Sequence, residues 1–79
     1  MLNNQRVLVV DDDKNICEIV RLYLDKEGFE VVIANDGQTA IDLFKQKTPS
    51  VVVLDVMLPK MDGFQVCREI RRVSNIPII

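Results

Sequence analysis

The stretch RVLVVDDDKNICEIVRLYL (residues 6–24) decides the fold. Its first five residues, RVLVV, are β-branched and almost wholly apolar, which is how a strand buried on both faces reads. Three aspartates, Asp11, Asp12 and Asp13, end that strand. Helical period follows at once: Ile16, Ile19, Val20, Tyr23 and Leu24 fall at i, i+3, i+4, i+7 and i+8, with Gly28 as the stop. The same alternation continues along the chain. EVVIA (residues 30–34), SVVVL (50–54) and IPII (76–79) read as further strands. Ala40, Leu43 and Phe44 form a second helical stripe with Asp36 as N-cap, and Phe64, Cys67 and Ile70 a third with Asp62 as N-cap. The predicted order is β-α-β-α-β-α-β.

Strands that alternate with helices pair in parallel through right-handed crossovers. The class is therefore α/β, a doubly wound parallel sheet with helices on both faces. Sheets of this kind bind ligands beyond the carboxyl ends of their strands. The first strand ends in Asp11 and Asp12, and the third ends at Asp55. Parallel strands deliver these acids to one edge, and if the first and third strands are neighbours they lie about 4.8 Å apart. Carboxylates crowded together repel unless a cation joins them. Oxygen-only donors suit Mg²⁺, which keeps several waters and shares phosphate oxygens, so the pocket points to phosphoryl chemistry. An aspartate can itself be the nucleophile in such chemistry. Thr48 and Ser50 lie at the opposite end of the third strand, and there is no histidine to activate them.

Other readings of these acids have to be weighed. A solvated helix N-terminus explains Asp13, which lies furthest into the loop, and it stands beside the metal reading for Asp11 and Asp12. A calcium-binding EF-hand loop fails, because Ile16 occupies the place of the required glycine and Leu22 the place of the final glutamate.

Composition narrows the classes further. The chain has 79 residues, 48% hydrophobic and 28% charged, with a formal net charge of −2. This makes one domain at most, with no basic block to bind nucleic acid. Cys17 and Cys67 are far apart and there is no CxxC pair, so they read as reduced thiols on helices. No apolar run approaches the roughly 20 residues that span a bilayer, and MLNNQR is not followed by the apolar core of a signal peptide.

VLVVDDD (residues 7–13) and VVVLDVMLPKMDGFQVCREIR (51–71) resemble the receiver domain of two-component response regulators. The resemblance spans the whole chain. It implies a flavodoxin-like, CheY-like sheet with strand order 2-1-3-4-5. It also implies that Asp55 accepts a phosphoryl group from a phosphohistidine on a sensor histidine kinase. Asp12 and Asp55 would hold Mg²⁺ directly and Asp11 through water, with Met57 lending its backbone carbonyl. Pro59, Asp62 and Gly63 would shape the loop and the start of the next helix. Such a domain is a signalling switch whose only chemistry is its own phosphotransfer and dephosphorylation. VMLPKMDGFQVCREIRR is similar in style to cytoplasmic receivers attached to winged-helix transcription regulators.

In that family IPII corresponds to strand four. A Ser or Thr, a fifth strand ending in Lys and the last two helices follow it. Residues 1–79 therefore read as the N-terminal two-thirds of a single receiver domain, impaired in signalling when alone. The Ile16–Leu24 stripe and the strand-four edge are expected to lack cover, which favours self-association as a homodimer. Two other classes remain in view. One is a phosphorylation-incompetent interaction module. The other is a metal-dependent phosphatase using Asp11 and Asp13 as a D-x-D pair, which leaves DVMLPKMDG unexplained.

Overall fold

Val7, Leu8, Val9 and Val10 are all at most 2% exposed, so the strand they form must sit between two layers. The computed structural model describes residues 5–55 and 63–79. Among these, the elements run β1 (Arg6–Val10), α1 (Lys14–Lys26), β2 (Glu30–Ala34), α2 (Gly37–Lys47), β3 (Val51–Leu54) and α3 (Gly63–Arg71). The strands are parallel in the order β2-β1-β3. Leu8 faces Val32 on one side and Val52 on the other, which sets the register of the sheet.

Side chains that alternate along β1 feed two separate cores. Leu8 and Val10 pack with Ala34, Ala40, Phe44, Val52, Val66 and Ile70, the layer built by α2 and α3. Val7 and Val9 pack with Cys17, Val20 and Leu24 of α1 on the other face. Burying each of the larger side chains, Val7, Leu8, Val9, Val10, Val52, Val66 and Ile70, stabilises the fold by about 1.5–3 kcal/mol. Ala34 and Ala40 are fully buried, and their small size lets α2 approach the sheet closely.

The expected fourth strand appears in reduced form. Residues 76–79 lie parallel to β3 with a single bridge between Val52 and Ile78. Val52 N–H donates to the Pro77 carbonyl, Ile79 N–H to the Val52 carbonyl and Leu54 N–H to the Ile79 carbonyl, at 2.8–3.0 Å. The next rung would need an N–H from Pro77, which has none, so the pairing goes no further. Arg71 holds the segment in place by donating to the carbonyls of Ser74 and Ile76.

The α1 stripe is left largely uncovered, as expected, and the α3 stripe differs from the expected one. On α1 the sheet-facing residues are Cys17, Val20 and Leu24, whereas Ile16, Ile19 and Tyr23 are 43%, 64% and 68% exposed. On α3 the buried residues are Gly63, Val66 and Ile70; Cys67 is half-buried and Phe64 is 63% exposed. Both helices carry two overlapping apolar stripes, and the sheet selects between them. No helix among the described residues is long and apolar enough to cross a membrane.

The helix ends follow local chemistry. Asp13 caps α1, accepting from the N–H groups of Asn15 (2.9 Å) and Ile16 (3.2 Å). Past the other end, Gly28 takes φ 93°, and Phe29 N–H bonds the Leu24 carbonyl while Gly28 N–H bonds that of Asp25. This pair of bonds is a Schellman closure. Asp36 caps α2 by accepting from Thr39 N–H at 2.8 Å. The expected cap of α3, Asp62, lies outside the described residues.

α2 ends on Thr48 with φ 45° and ψ 64°, a left-handed conformation that a β-branched residue adopts at a cost. Thr48→Gly is expected to stabilise the chain by about 0.5–1 kcal/mol, because relief of that strain exceeds the extra freedom glycine brings to the unfolded state. Thr48→Ala keeps the strain and is expected to give no gain. Urea denaturation of the two variants beside the parent checks this; equal midpoints for Thr48→Gly and Thr48→Ala would contradict it.

Candidate metal centre

The sheet carries its acids to one edge by extending its own ladder. Asp11 follows β1, and its N–H bonds the Ala34 carbonyl of β2 at 3.1 Å. Asp55 follows β3, and its N–H bonds the Val10 carbonyl of β1 at 2.9 Å. Each carboxylate therefore leaves the sheet from a residue whose backbone is still tied to a neighbouring strand. Asp12 stands one residue further on. One carboxylate oxygen from each of Asp11, Asp12 and Asp55 lies within 4.8 Å of the others. Asp11 and Asp55 are half-buried and Asp12 is exposed.

Asp13 takes no part in this group, because its carboxylate caps α1. Its N–H instead donates to Asp11 Oδ1 at 2.9 Å, which turns the chain and orients that carboxylate. The positive end of the α1 dipole lies beside the three acids and partly offsets their charge. The donor set is all oxygen and all anionic, which matches a hard divalent cation. An exposed Asp12 leaves such an ion open to water on one side, as Mg²⁺ requires.

Two residues that were not singled out for this site from the sequence lie directly behind Asp11. Asn35 Nδ2 donates to the Asp11 carbonyl at 2.9 Å, and the Cys17 thiol donates to the same oxygen at 3.3 Å. Asn35 Nδ2 also lies 3.5 Å from Cys17 Sγ. Burial pushes the Cys17 thiol above its ordinary value, and the Asp11 charge pushes it the same way, against the Asn35 hydrogen bond. The thiol therefore stays protonated and donating, and both cysteines are free. The available signal was position: Asn35 directly follows β2, at the same edge as the acids. Met57, Pro59 and Asp62 lie outside the described residues, while Gly63 is buried as the first residue of α3.

Comparison with known proteins gives one consistent family. Residues 7–79 match the response regulator receiver domain. A probable transcriptional regulator ycf27 from Guillardia theta is 49% identical over 75 residues, which make up 95% of this chain and 30% of that protein. The chain thus spans about a third of the length of that curated relative. Among solved structures, the BeF3-activated receiver domain of Klebsiella pneumoniae RstA is 32% identical with a TM-score of 0.89, covering 94% of this chain and 63% of that one. The Thermotoga maritima response regulator TrrA, in complex with Mg²⁺-BeF, is 36% identical with a TM-score of 0.88, covering 94% and 65%.

The raised Cys17 value has a consequence for stability. Above the ordinary thiol value of about 8.5, the unfolded chain loses a proton that the folded chain keeps. Stability contributed by the buried thiol is therefore present below that value and lost as pH rises above it. Denaturant melts of the parent between neutral pH and the alkaline range are expected to fall more steeply than those of Cys17→Ser. Parallel slopes for the two proteins would count against a protonated, buried Cys17.

Proposed function

This chain belongs to the response regulator receiver domain family, and we propose that Asp55 is its phosphoacceptor, served by Mg²⁺ held among Asp11, Asp12 and Asp55. The observation that carries this reading is the convergence of those three carboxylates within 4.8 Å at the carboxyl ends of adjacent strands. Asp12 and Asp55 would hold the ion directly and Asp11 through water; Met57, whose backbone carbonyl the family resemblance adds to this set, lies outside the described residues. The complex of TrrA with Mg²⁺-BeF supports the choice of metal.

The phosphodonor is a phosphohistidine on a sensor kinase. A carboxylate oxygen of Asp55 forms the new O–P bond as the N–P bond to the histidine breaks, and the electron pair leaves with the imidazole, which takes up a proton. Once bound there, a divalent ion would offset the charge on the phosphoryl oxygens in a loose transition state. The chain's own part is placement. Ladder bonds at Asp11 and Asp55 fix where the two carboxylates leave the sheet, and the Asp13 N–H orients Asp11. Phosphate on Asp55 is then a local change of charge that biases a two-state element of the regulator.

The phosphatase reading pairs Asp11 with Asp13, but the Asp13 carboxylate is occupied by α1. The name of the Guillardia theta relative supports a transcriptional output for the whole protein. On this reading the regulator is cytoplasmic and binds DNA through a winged-helix domain outside this segment.

Acetyl phosphate with Mg²⁺ is expected to add one phosphoryl group at Asp55 in the full regulator carrying this segment. Asp55→Asn is expected to abolish the labelling seen by intact-mass spectrometry, and chelation of the metal to suppress it. Labelling that persists in Asp55→Asn and vanishes in Asp11→Asn would move the nucleophile to Asp11 and refute the proposal.

A further inference from the structure

The carbonyl of Asp11 sits where the β1–β2 ladder ends. Up to that point β2 supplies the parallel partners of β1, and Ala34 still accepts from Asp11 N–H. The next donor for the Asp11 carbonyl would ordinarily come from the backbone of β2. The chain turns away there instead, with Asp36 extended as the cap of α2 and Gly37 its first residue. The Asn35 side chain takes over that task, placing Nδ2 at 2.9 Å from the Asp11 oxygen. Cys17, buried on α1, adds a second donor to the same oxygen at 3.3 Å. One carbonyl therefore gathers contacts from the ends of β1 and β2 and from α1.

That carbonyl belongs to the peptide joining Asp11 to Asp12. Fixing its direction fixes the plane of the peptide, and so the angle at which Asp12 departs. A carbonyl left without these donors could rotate, and both the Asp11 turn and the Asp12 carboxylate would rotate with it. Donors behind a metal ligand commonly set affinity in this way, with about 10–100-fold losses on removal.

We propose that Asn35 is a positioning residue of the acidic site: its side-chain amide substitutes for the missing ladder donor, locks the Asp11–Asp12 peptide and so pre-organises the carboxylates for Mg²⁺. This inference rests on the metal reading of Asp11, Asp12 and Asp55. It adds that the geometry of the group is set from the end of β2, by a residue that does not itself touch the ion.

The test uses the chain with and without Mg²⁺, followed by amide NMR. Asn35→Leu keeps much of the bulk and removes the donor without adding a charge, and Asn35→Ala removes the whole amide. Both are expected to weaken Mg²⁺ binding by about tenfold or more. Without metal, both are expected to speed exchange of the Asp13 N–H, which reports the Asp11 turn, while the amides of Leu8, Val9 and Val10 keep the parent's protection. Unchanged Asp13 exchange, or a uniform rise across β1, would overturn the proposal by showing no specific hold on the turn. A Mg²⁺ affinity within twofold of the parent would overturn it too, provided Asp12→Asn abolishes binding. Mg²⁺ binding unaltered by Asp12→Asn would instead refute the metal reading, and the metal-free exchange would still decide the role of Asn35. The parent alone offers a further check that needs no variant: the Asn35 side-chain NH₂ protons are expected to be protected, and free exchange of both would refute the proposal.

Discussion

The structure depends on β1 being paired on both sides. Its four apolar residues are buried on both faces, so they require helices above and below, and its two edges require β2 and β3. A central parallel strand of this kind has a single arrangement that buries everything, because a slip of one residue would swap its two sets of side chains between the cores. Leu8 and Val10 would then meet α1, and Val7 and Val9 would meet α2 and α3. Register is thus fixed by packing, and the strand ends inherit that precision.

The acids gain their arrangement from the same pairing. Asp11 and Asp55 are each held by one more rung of ladder than the strands themselves contain. Three carboxylates at close range cost free energy without a cation, and the fold accepts that cost at an edge open to water. It limits the cost by sending Asp13 to the helix cap, where a carboxylate is favourable.

How far the chain could be read without its structure varies by element. Asp36, Asp13 and Gly28 were legible because caps and stops act over three or four residues, and each did what its position implied. The helical faces were less legible. Ile70 belongs to either of two stripes on α3, and nothing within nine residues decides whether Phe64 or Val66 goes inside. Residues 76–79 read as a full strand by composition, yet Pro77 withholds the donor that a second stretch of ladder needs. No neighbour in the chain marks the role of Asn35, because its partner, the Asp11 carbonyl, is 24 residues away.

By itself, then, the order of residues determined the alternation of strands and helices, the caps, and the three acids at the carboxyl ends of the first and third strands. Those features follow from neighbours in the chain: side-chain period, turn chemistry and strand direction. Only the tertiary structure decided which helical stripe was buried, how much of the fourth strand could pair, and which side chain would hold the Asp11 peptide. Each of these is a choice between local alternatives of similar energy. The choice is made by surfaces that meet only when β1 is enclosed, so the physical reason lies in contacts between residues distant in sequence.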